Sequence, residues 1–413
     1  MPLRILFVPF GSEGDVNPLF TLADRLAARG HEIVFLLTPH YKAHAERRGF
    51  RWIPIGTEED FRRVANDPRA WDRLRGPEFV VKNLVDSLPA FQKAFSTLQE
   101  PIDLVVTSTF GLAAAALAEA AGIPRLNLHL QPVCLHSTFD CPLFVSELAW
   151  LRHAPRFIKR LAFRCIDLVF WRLLKKPINH FRRELNLPPL RNFFDEAIHG
   201  GDGVAALFPS WFAAPQPDWP ELRQFGFPPT SPKNQLPTDL ENFLAAGSPP
   251  VLWTHGSANF DTKAFQANAI ATSTRLGLRS LLVSLAAPPS PLPVGVLHLT
   301  HIRFEDVFPR VAAVVHHGGI GTVAKAIGAG IPQLIIPRSH DQPDNARRVV
   351  ALGLGKTLPY RTRPGGDPRI DRALQELITS PTIRARCREF QTLMASGDDW
   401  PALADWAEDL ARR

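Results

Sequence analysis

Residues 312–330 read AAVVHHGGIGTVAKAIGAG, and the order of residue kinds in this stretch decides the fold. The apolar run over 311–316 suits a strand. Glycines 318, 319 and 321 let the backbone turn sharply, and the small-residue stretch beyond suits a helix that Thr322 can cap. Strand, tight turn and helix make half of a βαβ unit, and PQLIIP (332–337) supplies the second strand.

The same pattern recurs on both sides. At the start, an apolar strand over 5–10 leads through the loop GSEGD (11–15) into the helix PLFTLADRLAARG (18–30) and the strand EIVFLLTP (32–39). Pro18 suits the first turn of that helix, and Gly30 suits its end. IDLVVTS (102–108), AAAALAEAAGIP (113–124) and RLNLHL (125–130) repeat the unit, as do PVLWTHGS (250–257) and LRSLLVSL (278–285) further on. Residues 228–250 hold six prolines and read as a linker. The expectation is an α/β chain of two Rossmann-like domains facing each other across a cleft: a first domain over 1–227, a linker over 228–250, a second domain over 251–395, and a C-terminal helix over 396–413.

Composition bounds what such a chain does. With 413 residues, 45% hydrophobic and 21% charged, it fits two globular domains. The apolar run over 5–10 is too short for a secretion signal, and the weakly charged stretch 104–118 is broken by Thr107, Ser108, Thr109 and Gly111. Cys134, Cys141, Cys165 and Cys387 show neither CxxC spacing nor a disulfide framework, so a cytoplasmic location is expected. The net charge of +7 concentrates over 151–176, where eight Lys or Arg meet one acid, Asp167. Arg152, Arg156, Arg160 and Arg164 recur every four residues beside Phe157, Ile158, Leu161, Leu168, Phe170, Trp171, Leu173 and Leu174. Two readings stand: a helix lying on an anionic membrane, at the inner face, or a core-packed helix with a solvated basic face. No nucleic-acid motif is present, and nucleic acid is not expected as a partner.

Ligands of open α/β sheets sit beyond the carboxyl ends of strands, which points to the loops GSEGD, HGSAN (255–259) and HHGGIG (316–321). A helix N-terminus with side-chain-free amides is an anion site, and phosphate is the natural anion there. His317 adds a donor or a positive charge. After the next strand come Asp341, Gln342 and Asn345, which suit the hydroxyls of a sugar attached to that phosphate. Helix capping is the alternative role for Asp344 and Asp341.

The stretch HHGGIGTVAKAIGAGIPQLIIPRSHDQPDNARRV (316–349), with its HxGGxGT, AGxPQ and DQxxNA elements, resembles the donor-binding signature of family 1 nucleotide-sugar glycosyltransferases of the GT-B fold. GSEGDVNPLFTLADRLAARGHEI (11–33) is similar to the family's acceptor-domain loop and helix. NDPRAWD (66–72) and LFPSWFAAPQPDWP (207–220) resemble more narrowly the bacterial rhamnolipid rhamnosyltransferase catalytic chain. By position, the resemblance implies that His317, Thr322 and the amides of Gly319, Ile320 and Gly321 contact the donor diphosphate together with Ser257. It implies that Asp341 and Gln342 hold the donor sugar, and that His301 and Ile302 meet the nucleobase.

Two positions depart from the family. Plant members carry a ribose-binding glutamate where Lys325 stands, a change compatible with a deoxyribose donor, though many bacterial UDP-sugar enzymes of the family also lack that glutamate. Where many members have the catalytic histidine of a GHxNP loop, this chain has Gly14 and Asp15, as in a GDV subgroup that includes sterol and antibiotic glycosyltransferases. An attacking hydroxyl must lose its proton, so Asp15 is the candidate general base, with helix capping as the alternative. Pro18 at the first helical position would make Asn17 the cap and leave Asp15 to the cleft. The chain lacks a DxD sequence.

The expected activity is therefore inverting, metal-independent transfer of a hexose, rhamnose or glucose, from a nucleotide diphosphate sugar to a hydroxyl of an apolar or lipid-like acceptor. No cofactor is expected. A nucleotide-sugar 2-epimerase and a non-catalytic sugar-nucleotide binding protein are the alternatives.

Overall fold

A computed structural model describes residues 1–72, 75–229, 234–256, 263–360 and 366–413. These form two compact units: the first comprises Met1–Leu143, Glu147–Pro228 and Asp398–Arg413, and the second Phe144–Ser146 and Pro229–Gly397.

The strands of the first unit are β1 (Arg4–Val8), β2 (Glu32–Leu37), β3 (Arg51–Pro54), β4 (Leu104–Ser108), β5 (Arg125–His129), β6 (Gly203–Leu207) and β7 (Arg223–Phe225). Its helices are α1 (Glu13–Ala28), α2 (Lys42–Glu46), α3 (Glu58–Ala65), α4 (Gly76–Phe95), α5 (Leu112–Ala120) and α6 (Arg156–Glu184). The sheet runs β3-β2-β1-β4-β5-β6-β7, parallel throughout, with Ile5 opposite both Ile33 and Leu104. Successive strand residues point to opposite faces, so a sheet covered on both sides needs apolar residues at every position. Leu6, Val8, Val34 and Val105 pack toward Leu84, Leu88 and Phe91 of α4 and Trp171, Leu174 and Ile178 of α6. On the other side, Phe35 stacks on Phe20 of α1 at 4.4 Å between ring centres.

The second unit holds β8 (Val251–Thr254), β9 (Ser280–Val283), β10 (Val296–Leu299), β11 (Ala313–His316), β12 (Gln333–Ile335) and β13 (Gly355–Thr357). Its helices are α7 (Thr238–Ala245), α8 (Lys263–Leu276), α9 (Phe304–Val307), α10 (Ile320–Gly328), α11 (Gln342–Ala351), α12 (Pro368–Thr379) and α13 (Pro381–Ala395). The strand order is β10-β9-β8-β11-β12-β13, again parallel. Val251 and Trp253 face Phe265 of α8 and Leu374 of α12, and Leu252 between them faces Leu240 and Leu244 of α7. Each sheet reverses its order once, between β1 and β4 and between β8 and β11, which is the Rossmann-like arrangement the sequence pattern called for.

Two expectations need correction. The stretch 228–250 is not a plain linker, because α7 lies within it and buries Leu240 and Leu244. Its prolines flank the helix, Pro237 directly preceding it, and so imitate linker composition. Helix α1 begins at Glu13, five residues ahead of Pro18, because Ser12 adopts an extended backbone and supplies the cap.

The last helix, α14 (Trp400–Ala411), belongs to the first unit. Trp406 and Leu410 press on Gly203 of β6 so closely that a Cβ there would lie 2.7 Å from Leu410. The Trp400 indole donates to the carbonyls of Gly226 and Phe227, each at 3.1 Å. Arg29 at the end of α1 pairs with Asp405 and Glu408. Among the described residues no helix is long and apolar enough to cross a membrane.

Candidate functional site

In the second unit, the switch point between β8 and β11 brings together the loops that follow both strands. His316 closes β11 fully buried. Its Nδ1 accepts the Gly318 amide at 3.2 Å, so Nε2 carries the hydrogen and donates to Gln333 Oε1 at 3.0 Å. Burial pulls this imidazole down to about 3, which keeps it a neutral structural brace. Gly318 follows at φ +99°, where a Cβ would sit 2.7 Å from Ile335 and 3.2 Å from the Gln342 carbonyl. Only glycine turns the chain there.

His317 lies in a slot between two more glycines. A Cβ on Gly256 would come 2.5 Å from its Cε1, and one on Gly319 would come 2.6 Å from its Nε2. Its Nδ1 is buried and has no hydrogen-bond partner among the described residues. Burial draws the ring down to about 4, so near neutral pH His317 is an N–H donor and not a standing cation.

Gly319, extended at φ −60° and ψ 138°, is the N-cap, and α10 begins at Ile320. Thr322 is therefore the third helical residue and not the cap; it is buried, and its amide bonds the Gly319 carbonyl at 3.0 Å. The amides of Ile320 and Gly321 open the helix with no intrahelical carbonyl to meet, the electrostatics that attract an anion.

Asn345, expected with Asp341 and Gln342 to meet sugar hydroxyls, instead ties this turn to α11. Its Nδ2 donates to the Gly318 carbonyl at 2.9 Å and to Asp341 Oδ2 at 2.6 Å, and the residue is fully buried. Asp341 stands at the N-cap of α11, yet its carboxylate faces Asn345 without capping the helix. Gln342 is buried, and its Oε1 accepts the amides of Arg338 (2.8 Å) and Ser339 (3.3 Å), which leaves its NH2 group to donate. Asp344 is structural: fully buried, it pairs with Arg347 at 2.9 Å and Arg348 at 2.8 Å.

The segment bearing His301 and Ile302 precedes α9. His301 is exposed, and Ile302 packs beside Val307 and Phe308. Lys325 of α10 reaches across to Glu305 of α9 at 2.9 Å, and this pair joins the segment to the anion-site helix. Burial pushes the Glu305 carboxyl up, but Lys325 outweighs it and holds the group below its usual range.

Ser257 lies outside the described residues. His255 just before it is buried, tilted against Phe265 at 4.7 Å, and neither ring nitrogen has a hydrogen-bond partner among the described residues. Burial, then His317 and Arg338, bring it down to about 3.

Asp15 stands in the first unit, where β1 ends beside β4. Its Oδ2 accepts the Ser12 amide at 2.9 Å and the Ser12 hydroxyl at 3.0 Å, and its Oδ1 accepts Gln131 Nε2 at 3.0 Å. Asn17 is therefore not the cap and Asp15 is not left unengaged; Ser12 and Asp15 together form the start of the helix. Gly11 has φ +127°, and a Cβ there would collide with the Asp15 carboxylate. Nearby at the ends of β4 and β5, Thr109 bonds His129 Nδ1 at 3.1 Å, and His129 Nε2 meets His199 Nδ1 at 3.0 Å. The sequence points to TSTFG (107–111) and LHLQP (128–132) as stretches expected to contact the acceptor, without singling out Gln131, His129 or His199.

Residues 286–408 match the family model described as the erythromycin biosynthesis protein CIII-like C-terminal domain. O-mycaminosyltylonolide 6-deoxyallosyltransferase of Streptomyces fradiae is 28% identical, over 95% of this chain and 94% of its own. The calicheamicin glycosyltransferase CalG4 superposes with a TM-score of 0.71 at 21% identity, over 99% of this chain and 98% of its own. The Streptomyces sp. SF2575 glycosyltransferase SsfS6, solved with thymidine diphosphate, has a TM-score of 0.66 at 20% identity, over 98% and 99%. The fold is that of the GT-B glycosyltransferases.

Proposed function

We propose that the protein is a nucleotide-sugar glycosyltransferase that moves a hexose, rhamnose or glucose, from a thymidine or uridine diphosphate sugar to a hydroxyl of an apolar or lipid-like acceptor. The observation that carries this reading is the turn at 316–322, where Gly319 and, from the loop after β8, Gly256 flank the His317 ring and α10 opens at Ile320. A diphosphate fits such a site because its charge meets the helix dipole, first-turn amides and an imidazole N–H without a metal ion. The thymidine diphosphate bound to the similarly folded SsfS6 supports the same ligand class. Asp341 accepts from a sugar hydroxyl, and the Gln342 NH2 donates to one. Lys325 is engaged with Glu305, which agrees with a donor whose ribose lacks the 2′-hydroxyl.

In the reaction, the acceptor oxygen attacks the anomeric carbon from the side opposite the diphosphate. The new C–O bond forms as the old one breaks, the configuration inverts, and the diphosphate leaves with the electron pair. The acceptor proton passes to Asp15, whose carboxylate is oriented by Ser12 and Gln131. An ordinary aspartate, with a pKa near ~3.9, is a weak base, so the proton moves late, once the attacking oxygen has become acidic.

The test is Asp15→Asn, scored by transfer and by thymidine diphosphate binding. Asparagine keeps an oxygen for Ser12, so the fold and nucleotide binding should survive while turnover falls by roughly 10²- to 10⁴-fold. Turnover within threefold of the parent would remove Asp15 from the role. Sugar-nucleotide conversion without any acceptor would favour an epimerase instead. Activity should also persist in EDTA.

A further inference from the structure

The long helix α6 has two sides of different character. Trp171, Leu174, Ile178 and Phe181 are buried in the core of the first unit, and Arg182 anchors the C-terminal turn through a bidentate pair with Glu119 at 2.7 and 2.8 Å. The other side carries Phe157, Leu161, Arg164, Leu168, Arg172 and Lys175, all exposed. At 3.6 residues per turn these six fall within a stripe about 80° wide, running about 27 Å along the helix. Phe157 is 69% exposed and Leu161 62%, and of the thirteen large hydrophobic side chains exposed among the described residues, eight lie between Phe139 and Leu173. Phe139 extends the patch beyond the helix start, its ring covered by the Arg156 guanidinium at 3.7 Å. Arg152, expected in line with Arg156, Arg160 and Arg164, lies instead in a preceding 3₁₀ turn.

Charge indicates what covers this face. Helix α6 holds nine of the chain's 47 Lys and Arg and two of its 40 Asp and Glu, so the net +7 of the whole chain resides on this one helix and the remainder balances. Arg160, Arg164, Arg172, Lys175 and Lys176 are exposed and make no ion pair among the described residues. The acid Asp167 turns inward, accepting the amides of Phe193 and Phe194 at 3.1 and 3.0 Å. A second copy on the same face would set Arg164 and Arg172 against their own equivalents. A planar anionic surface with an apolar layer beneath accepts both the guanidinium groups and the side chains of Phe157, Leu161 and Leu168.

We infer that the exposed side of α6 docks the protein on an anionic lipid bilayer, with the apolar side chains in the acyl boundary and the arginines at the headgroups. This surface is independent of the reaction proposed above.

The full chain is sedimented with vesicles of phosphatidylcholine alone and of phosphatidylcholine mixed with phosphatidylglycerol. Binding is expected to the mixed vesicles only, weakening as salt rises. Leu161→Ser with Leu168→Ser, and separately Arg164→Gln with Arg172→Gln, should each reduce it roughly tenfold or more, with far-UV circular dichroism and thymidine diphosphate affinity unchanged. No binding by the parent protein, equal binding to neutral vesicles, or unchanged binding by both variants overturns the inference. So does a parent protein that is dimeric in sedimentation equilibrium and becomes monomeric with the leucine pair replaced, which would assign the face to a second copy.

Discussion

Replacing Gly319 with alanine adds one methyl group where the backbone, at φ −60° and ψ 138°, accepts any residue. The nearest atoms among the described residues belong to His317, whose Nε2 would lie 2.6 Å from the new carbon. An ordinary contact needs about 3.5 Å or more, so the ring must shift by roughly 1 Å away from the first amides of α10. If His317 donates to the donor diphosphate, that shift removes a hydrogen bond to a charged group, about 1.5–3 kcal/mol, or roughly 10- to 150-fold in nucleotide affinity. Calorimetric titration with thymidine diphosphate reads the effect, and stability without ligand should change by less than about 1 kcal/mol. His317→Ala alone should cost a similar amount. Because alanine at 317 also removes the obstacle, Gly319→Ala should add little to it, giving a coupling close to the whole single-mutant effect. An undiminished Gly319→Ala penalty in the His317→Ala background, or an affinity within threefold for Gly319→Ala itself, would refute the argument.

Asn345→Leu removes two buried bonds and strands the Gly318 carbonyl, at a cost of about 3–5 kcal/mol, so thermal unfolding of the second unit should fall by roughly 10 °C. Truncation after Gly397 strips Trp400, Leu403, Trp406 and Leu410 from the first unit, roughly 6–12 kcal/mol of burial, and insoluble protein is expected; a soluble, folded product would contradict that packing. Burial holds His255 and His316 near 3 and His199 and His317 near 4, below the unfolded value near ~6.5. The unfolded chain therefore binds more protons as pH falls from about 6.5 toward 4, stability is lost across that window, and the melting temperature should drop steeply there; a flat profile between pH 7 and 5 would exclude it.

The parallel sheets were legible from their central strands, such as β1 and β11, which are apolar at consecutive positions and end at a glycine-bearing turn, whereas short polar edge strands such as β7 (RQF) and β13 (GKT) carry no such signal. The donor turn was legible because its glycines serve steric needs that no other residue meets, at Gly318 above all. Helix starts were not. Pro18 marks a first turn in most helices, but here Ser12 and Asp15 start α1 earlier, and only the backbone angles at Ser12 reveal it. Thr322 likewise looked like a cap because the chain's preference for extended backbone at Gly319 is silent in the sequence. Long-range partners were invisible for another reason: Asn345 to Gly318, Gln131 to Asp15 and Lys325 to Glu305 join residues 20 to 116 positions apart, and no local pattern encodes them. Of the two readings of 151–176, core packing is seen at Trp171 and Leu174, and the membrane-facing one stands as the inference drawn above.

The return of the last sixteen residues to the first unit affects how the chain is made. A ribosome normally releases domains in order, each able to fold as it emerges. Here the N-terminal sheet must wait for α14, with Gly203 of β6 and the carbonyls of Gly226 and Phe227 uncovered until it arrives. The span Pro229–Gly397 is translated in between, a delay of roughly 10–35 s at about 5–20 residues per second. The second unit can therefore complete first, and a nascent chain interrupted anywhere before Trp400 leaves the older half unfinished and open to chaperones and proteases.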